Sequence, residues 1–294
     1  MSQIFDSRVC GLGEGPLWHP IREQLFWFDI TGKRLLSQLG GKALEWSFKE
    51  HVSAAGWVSR ARLLIASETA LFLFDLETGA SKPLCALEAD KPANRSNDGR
   101  ADPYGGFWIG TMGKSAENGA GAIYRYYRGL LTPLYENLSI PNAICFSPDG
   151  AQAYFTDTVT GCVQRVALDA QGWPTGAPEV FLDLRADGLA PDGAVVDRLG
   201  NIWIAQWGAA RVACYDAAGR FVSAVAMPAP HTTCPAFGGA DLRTLFCTSA
   251  TQGLSEAAIG SAPDSGKVFR EGMQIMGQYE HQVIIDPAIM EGLS

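Results

Sequence analysis

Residues 142–158 read NAICFSPDGAQAYFTDT, in which an amide residue leads into a short apolar run, a Pro-Asp-Gly turn and a second apolar run. Three other stretches also place a carboxylate or amide before an apolar strand: EGPLW at 14–18, NDGRADPYGGFWIGT at 97–111 and DGAVVDRLGNIWIAQW at 192–207. Residues 53–68 and 233–250 share the pattern without that leading group. The six units recur about every 40 to 50 residues, which is typical of a closed radial array.

Short apolar runs rich in aromatic and β-branched residues predict strands, and Gly and Asp residues between them predict tight turns. Three or four such strands in each of six units predict an all-β fold, a six-bladed β-propeller of four-stranded antiparallel blades around a central channel. Residues 4–9 and 266–270 are candidates to close the ring. A pair of β-sandwiches is the alternative. No linker divides the chain, so we expect a single domain over residues 1–294.

The overall charge narrows the choice of partners. A formal net charge of −8 disfavours binding to nucleic acid and to anionic membrane surfaces, because both need a basic face on the protein.

The N-terminal residues lack the pattern of a signal peptide, and the seven cysteines form no CxxC pair. We therefore expect a cytoplasmic protein with reduced thiols, either a monomer or a weak homo-oligomer.

In a propeller, equivalent positions of every blade converge on one axis. Glu14, Asn97, Asn142 and Asp192 should therefore surround one mouth of the channel. Carboxylate and amide oxygens suit a hard divalent cation, and few protein ligands would leave coordination positions open for water or substrate. The competing interpretation is that each residue only bonds its own turn.

The chain resembles the SMP-30/gluconolactonase/luciferin-regenerating family from about Gly11 to Ala250. The resemblance lies in LGEGPLW, RSNDGRADPYGGFWIGTM, PNAICFSPDGAQAYFTDT, PDGAVVDRLGNIWIAQWGAARV and CPAFGGADLRTLFCTSA. It implies a six-bladed propeller that acts on sugar-acid lactones with one divalent metal ion, for which Ca²⁺, Zn²⁺, Mn²⁺, Mg²⁺ and Fe²⁺ are all candidates. By this resemblance, Glu14, Asn142 and Asp192 match the family's metal ligands, and Arg95 and Asn97 match its substrate-binding residues.

One segment departs from the family's pattern. Members similar to the animal lactonases carry acidic residues shortly after the Gly-Thr-Met motif, whereas this chain has Gly113-Lys114-Ser115. We therefore hypothesise that Lys114 contacts an anionic group on the substrate, although it could equally be a solvated loop lysine. His231, just before the last predicted inner strand, is a further candidate for substrate contact.

Lactone hydrolysis needs a base for the attacking water and charge stabilisation at the carbonyl oxygen. Asp192 is the first candidate for the base and Asp98 the second; no G-x-S-x-G segment supports a serine nucleophile. The sequence thus predicts metal-dependent hydrolysis of a small sugar lactone. The alternatives are a promiscuous lactone or organophosphate hydrolase on the same site, and a non-catalytic metal- or ligand-binding propeller.

Overall fold

Six four-stranded antiparallel sheets make up the computed structural model, which describes residues 2–286 and 289. The first strand is β1 (Gln3–Asp6). Blade 1 then comprises β2 (Gly13–His19), β3 (Gln24–Asp29), β4 (Arg34–Leu39) and β5 (Lys42–Ser47). Blade 2 comprises β6 (Val52–Ser59), β7 (Arg62–Ser67), β8 (Ala70–Asp75) and β9 (Ser81–Ala86). Blade 3 comprises β10 (Asn94–Ala101), β11 (Phe107–Gly113), β12 (Gly121–Tyr127) and β13 (Leu130–Leu138).

The second half repeats this plan. Blade 4 comprises β14 (Pro141–Phe146), β15 (Gln152–Asp157), β16 (Cys162–Leu168) and β17 (Pro174–Asp183), with a 3₁₀ turn at Thr158–Thr160. Blade 5 comprises β18 (Ala190–Val196), β19 (Ile202–Trp207), β20 (Arg211–Tyr215) and β21 (Phe221–Ala226). Blade 6 comprises β22 (Thr232–Gly238), β23 (Thr244–Ser249) and β24 (Val268–Gly272), and a short helix, α1 (Glu256–Ser261), precedes β24.

Strand β1 pairs with β24 and completes blade 6, so strands from the two ends of the chain close the ring as predicted. The inner strands β2, β6, β10, β14, β18 and β22 contact one another in turn around a closed circle. The six-bladed propeller is therefore confirmed. The predicted domain span 1–294 includes residues 1, 287, 288 and 290–294, which lie outside the described residues.

Apolar side chains from neighbouring blades fill the spaces between the sheets, as in the cluster of Phe26, Phe28, Leu63 and Ile65 from blades 1 and 2. The seven cysteines are free thiols, and all but Cys85 are buried. None of the helices in the described part of the chain has the length and apolar character required to cross a lipid bilayer.

Every inner strand carries a break in its register at the same level of the channel. The pairing shifts between Glu14 and Leu17 in β2, between Asn142 and Cys145 in β14, and between Pro191 and Ala194 in β18. Strands β6, β10 and β22 shift at the corresponding place. Such bulges redirect side chains away from the regular alternation of a strand. Here they coincide with the residues that surround the channel mouth.

Residues 276–285, which we call the C-terminal strap, cover the other end of the channel. The Gln278 side-chain amide donates to the carbonyls of Phe146 and Val196 at 3.3 and 3.1 Å, where β14 and β18 end. Trp57 Nε1 donates to the Glu280 carbonyl at 2.8 Å. The Glu280 carboxylate pairs with the buried Arg100 guanidinium inside the channel. The strap is therefore anchored to several inner strands at this end of the channel.

Candidate active site

A cavity of about 410 Å³ opens at the mouth where the inner strands begin. This volume lies in the range of pockets that bind small molecules. Six of the residues selected from the sequence line its wall, and they come from blades 1, 3, 4 and 5: Glu14, Arg95, Asn97, Lys114, Asn142 and Asp192. The propeller thus brings together side chains that are far apart in the chain.

A chain of hydrogen bonds fixes the two amides of the cavity. Arg95 Nη1 donates to Asn97 Oδ1 at 2.8 Å, and Asn97 Nδ2 donates to Asn142 Oδ1 at 3.0 Å. Asn142 Nδ2 in turn donates to the Thr158 hydroxyl at 2.9 Å, which donates to the Pro191 carbonyl at 2.8 Å. Because the Asn142 nitrogen donates to Thr158 while its oxygen accepts from Asn97, the Asn142 oxygen is turned toward Asn97 in the cavity wall.

The two carboxylates of the cavity, Glu14 and Asp192, are both buried. Burial, followed by the charge of Asp98, raises the pKa of Glu14 to about 8, although the Gly15 N–H bonds its Oε2 at 2.8 Å. Burial, followed by the charge of Glu14, raises the pKa of Asp192 well above its usual value. Like charges in a low-dielectric site favour protonation unless a cation compensates them.

The residues present fit a divalent metal ion. Among residues 2–286 and 289, neither Glu14 nor Asp192 forms an ion pair with a lysine, arginine or histidine. The Asn142 oxygen adds a neutral ligand, so the set offers two carboxylates and one amide oxygen. Within the same residues, no group of three His, Cys, Asp or Glu side chains gathers as a metal site. The predicted set differs because its third member is an amide.

Arg95 provides the cation of the pocket, but it does not contact the carboxylates directly. Its Nη1 is bound to the Ser96 carbonyl and to Asn97, both at 2.8 Å. Burial lowers its pKa to about 10, so it stays charged at neutral pH. Within the described residues its other guanidinium nitrogens have no hydrogen-bond acceptor. They remain available to a ligand in the cavity.

Two of the selected residues lie outside the cavity wall. The Asp98 carboxylate is buried below it and accepts the Ile144 N–H at 2.7 Å. The His231 ring stacks on Trp207, with 3.9 Å between ring centroids, and its Nδ1 lies 2.9 Å from the Gln252 carbonyl. Trp207 and Gln252, rather than His231, face the cavity. Glu14 and Asp192 are therefore the carboxylates that line the cavity, whereas Asp98 and His231 do not line it.

Sequence reasoning did not select Thr158 or Gln252, which also line the cavity. Thr158 directly follows the second strand of blade 4, and Gln252 lies three residues after the second strand of blade 6, so both positions depend on how that strand returns to the channel mouth. Thr158 ends the quoted segment FTDT, and its place there was the available signal. Gln252 is held because its N–H donates to the Gly11 carbonyl at 2.9 Å, a contact across the closure of the ring.

The fold and this cavity define a six-bladed propeller with a carboxylate- and amide-lined pocket at one mouth of its channel. The profile described as the SMP-30/Gluconolactonase/LRE-like region matches residues 12–251. The chain therefore belongs to this family.

Individual relatives match this chain over almost its whole length. A protein of Rhizobium meliloti, provisionally named a sugar lactone lactonase, is 46% identical over 92% of both chains. The L-arabinolactonase of Azospirillum brasilense is 34% identical over 88% of this chain and 87% of its own. Among solved structures, a protein of Agrobacterium tumefaciens described as the calcium-binding protein regucalcin superposes with a TM-score of 0.94 at 41% identity. It covers 96% of this chain and 97% of its own.

Proposed function

We propose that this protein hydrolyses a sugar-acid lactone to the open-chain acid, with a divalent metal ion held by Glu14, Asn142 and Asp192. The observation that carries the proposal is a pair of buried carboxylates that face a small-molecule cavity without a cation of their own. Two relatives that match nearly end to end are named as sugar lactonases, which supports the choice of substrate class.

When bound, the metal ion would polarise the lactone carbonyl and lower the pKa of the attacking water. The protein's own groups provide the rest. Asp192 accepts the proton of the water as it adds to the carbonyl carbon, and returns a proton to the ring oxygen as the ring C–O bond breaks. The unbound nitrogens of Arg95 donate to ring hydroxyls and hold the carbonyl in position.

The walls of the cavity orient the lactone and exclude bulk water. Met112, Ile140 and Leu12 provide apolar surface, and the Trp207 ring provides a flat face for the C–H bonds of a sugar ring. We propose that the whole chain acts as one domain, in the cytoplasm, as a monomer or weak homo-oligomer. The free cysteines fit a reducing compartment.

The test is a panel of gluconate, galactonate, xylonate and arabinonate lactones with metal-loaded protein, in which acid release is followed with a pH indicator. Spontaneous hydrolysis is subtracted, and at least one lactone should be hydrolysed faster. Glu14→Gln, Asn142→Ala and Asp192→Asn should lose bound metal and rate together, whereas Glu179→Gln on the exposed face of blade 4 should lose neither. Full metal occupancy in all three site variants would contradict the proposed site.

The alternative is a propeller that binds a cation without catalysis, in keeping with the description of the Agrobacterium protein as calcium-binding. The same assay separates the two functions. Bound metal without acceleration of any lactone would favour the alternative. The unbound guanidinium nitrogens of Arg95 favour the enzyme, because a purely structural ion site has no need of a free donor beside it.

A further inference from the structure

Lys114 stands at the rim of the cavity, on the loop that follows β11, and its ammonium group is not free. Its Nζ lies 2.6 Å from Glu68 Oε2, on the neighbouring blade 2. The same nitrogen donates to the Pro92 carbonyl at 3.0 Å. Two of its three protons are therefore held by the protein. The positive charge of Lys114 at the rim is therefore neutralised before any ligand arrives.

Glu68 is itself fixed on the side away from Lys114. The His51 backbone N–H donates to Glu68 Oε1 at 3.0 Å, and the His51 ring contacts the same oxygen. Burial works against ionisation of Glu68, but the bonds from Lys114 and His51 outweigh it and lower the carboxyl pKa. Glu68 is thus a fixed anion whose orientation does not depend on Lys114.

The negative charge of Glu68 also acts on the interior of the site, because it is one of the charges that favour the cationic form of Arg95. An anionic substituent on a substrate at this rim would have to compete with a carboxylate that is already 2.6 Å from Lys114. A neutral polyol substituent would meet no such competition. The arrangement therefore discriminates between ligands by their charge.

We propose that Glu68 is a specificity-determining residue, which neutralises Lys114 and thereby restricts the pocket to uncharged sugar lactones. The proposal rests on the proposed function. It concerns which lactone is accepted, and assigns Glu68 no part in the bond-breaking step.

The test compares the γ-lactone of gluconate with the matching γ-lactone of glucarate, which differs by a free carboxylate at the distal carbon. Glu68→Gln keeps an oxygen to accept the His51 N–H but removes the charge. It should raise the ratio of kcat/KM for the glucarate lactone to that for the gluconate lactone about tenfold. The gain should shrink at high ionic strength, because a freed surface charge is screened by salt.

Two further variants test whether the freed Lys114 ammonium causes the gain in the kcat/KM ratio. Glu68→Gln combined with Lys114→Met should lose the gain, because the freed ammonium is the group that attracts the carboxylate. Glu50→Gln is the matched control: this carboxylate binds the Thr69 hydroxyl near the same blade edge and does not line the cavity. An unchanged ratio in folded Glu68→Gln, or a gain that persists without Lys114, would overturn the proposal.

A binding experiment keeps this outcome separate from failure of the proposed reaction. Methyl glucoside and methyl glucuronide are not lactones and differ by one carboxylate, so calorimetry with both reports on the rim alone. Wild type should prefer the glucoside, and Glu68→Gln should shift the preference toward the glucuronide. An identical preference in both proteins, or binding of neither sugar to either, would reject the role of Glu68 whether or not any lactone is hydrolysed.

Discussion

The amide nitrogen of Asn142 donates to the Thr158 hydroxyl at 2.9 Å, and this contact determines which way the amide oxygen faces. The Thr158 hydroxyl donates a hydrogen bond to the Pro191 carbonyl of the next blade. Thr158 therefore connects the side chain of Asn142 to the backbone of Pro191, the residue before Asp192. Two of the candidate metal ligands are linked through this one hydroxyl. Loss of a group that orients a metal ligand commonly lowers metal affinity or activity.

Thr158→Val should weaken binding of a divalent cation about 10- to 100-fold, because Asn142 loses the acceptor that orients it. Calorimetry with Ca²⁺ or Mn²⁺ measures the change. Thr158→Ser retains the hydroxyl and should stay close to wild type. Equal affinity in all three proteins would show that the Asn142 oxygen is not a ligand.

Gly15 allows the backbone to turn Glu14 into the channel. Its φ is +53°, and an added Cβ would lie 2.2 Å from the Ser53 carbonyl oxygen of blade 2. Gly15→Ala should lower the free energy of unfolding by about 1–3 kcal/mol and reduce cation affinity, since the bulge must shift. Denaturant unfolding and calorimetry measure the two effects.

Gly188→Ala is the matched control for this substitution. Gly188 also has a positive φ, +63°, but no atom lies within 4 Å of its added Cβ. It should show the cost of the left-handed backbone without the collision, and should keep full cation affinity. Comparable loss of affinity in both variants would refute a special role for the Gly15 bulge.

The raised pKa of Glu14 predicts how stability depends on pH in metal-free protein. Its pKa rises from 4.5 to about 8 on folding, so between these values the folded state binds more protons than the unfolded state. The free energy of unfolding should therefore fall as the pH rises from about 4.5 to about 8. Asp192 shifts in the same direction and adds to the slope.

Thermal unfolding with a chelator present measures this effect. We expect Tm to fall by about 5 °C or more between pH 5 and pH 8, and a divalent cation at pH 8 to restore it. Glu14→Gln should flatten the slope because the titrating group is gone. A Tm that rises over this range, or an unchanged slope in Glu14→Gln, would contradict the assignment.

The strap should contribute to stability through its buried ion pair. The side chains of Arg100 and Glu280 are only 10% and 7% exposed, so Glu280→Ala would leave a buried guanidinium without its partner. A loss of about 3–5 kcal/mol in the free energy of unfolding follows, to be measured in urea. Glu179→Ala, which removes a carboxylate that is 65% exposed in the pair with Arg165, should change little. Similar losses in both variants would argue against a stabilising strap.

The propeller was predictable because its signal repeats. Six apolar units with turn residues at equivalent positions are sufficient to indicate six blades. Closure by strands from both ends of the chain follows because every sheet must have all its strands. Convergence of Glu14, Asn97, Asn142 and Asp192 follows from the same symmetry. These inferences need only the period of the pattern and no side-chain detail.

Contacts between blades were beyond sequence reasoning. The register shifts in β2, β14 and β18 depend on the paired strand, and no residue type marks them, since Gly15 and Ala143 both take a positive φ at this level. The pairing of Lys114 with Glu68 joins positions 46 residues apart on different blades. The repeat pattern predicts where each strand lies in its blade, but it does not predict which loop side chains of adjacent blades are in contact.

The order of synthesis means that the ring can close only late in translation of the nascent chain. Strand β24 and the strap follow all the other blades in the sequence, while β1 precedes them. Until residues 268–285 have left the ribosome, β1 and β23 both lack β24 as a pairing partner, and the strap cannot contact the ends of the inner strands. A truncated translation product would expose unpaired strand edges, so it is a natural target for chaperones and proteases.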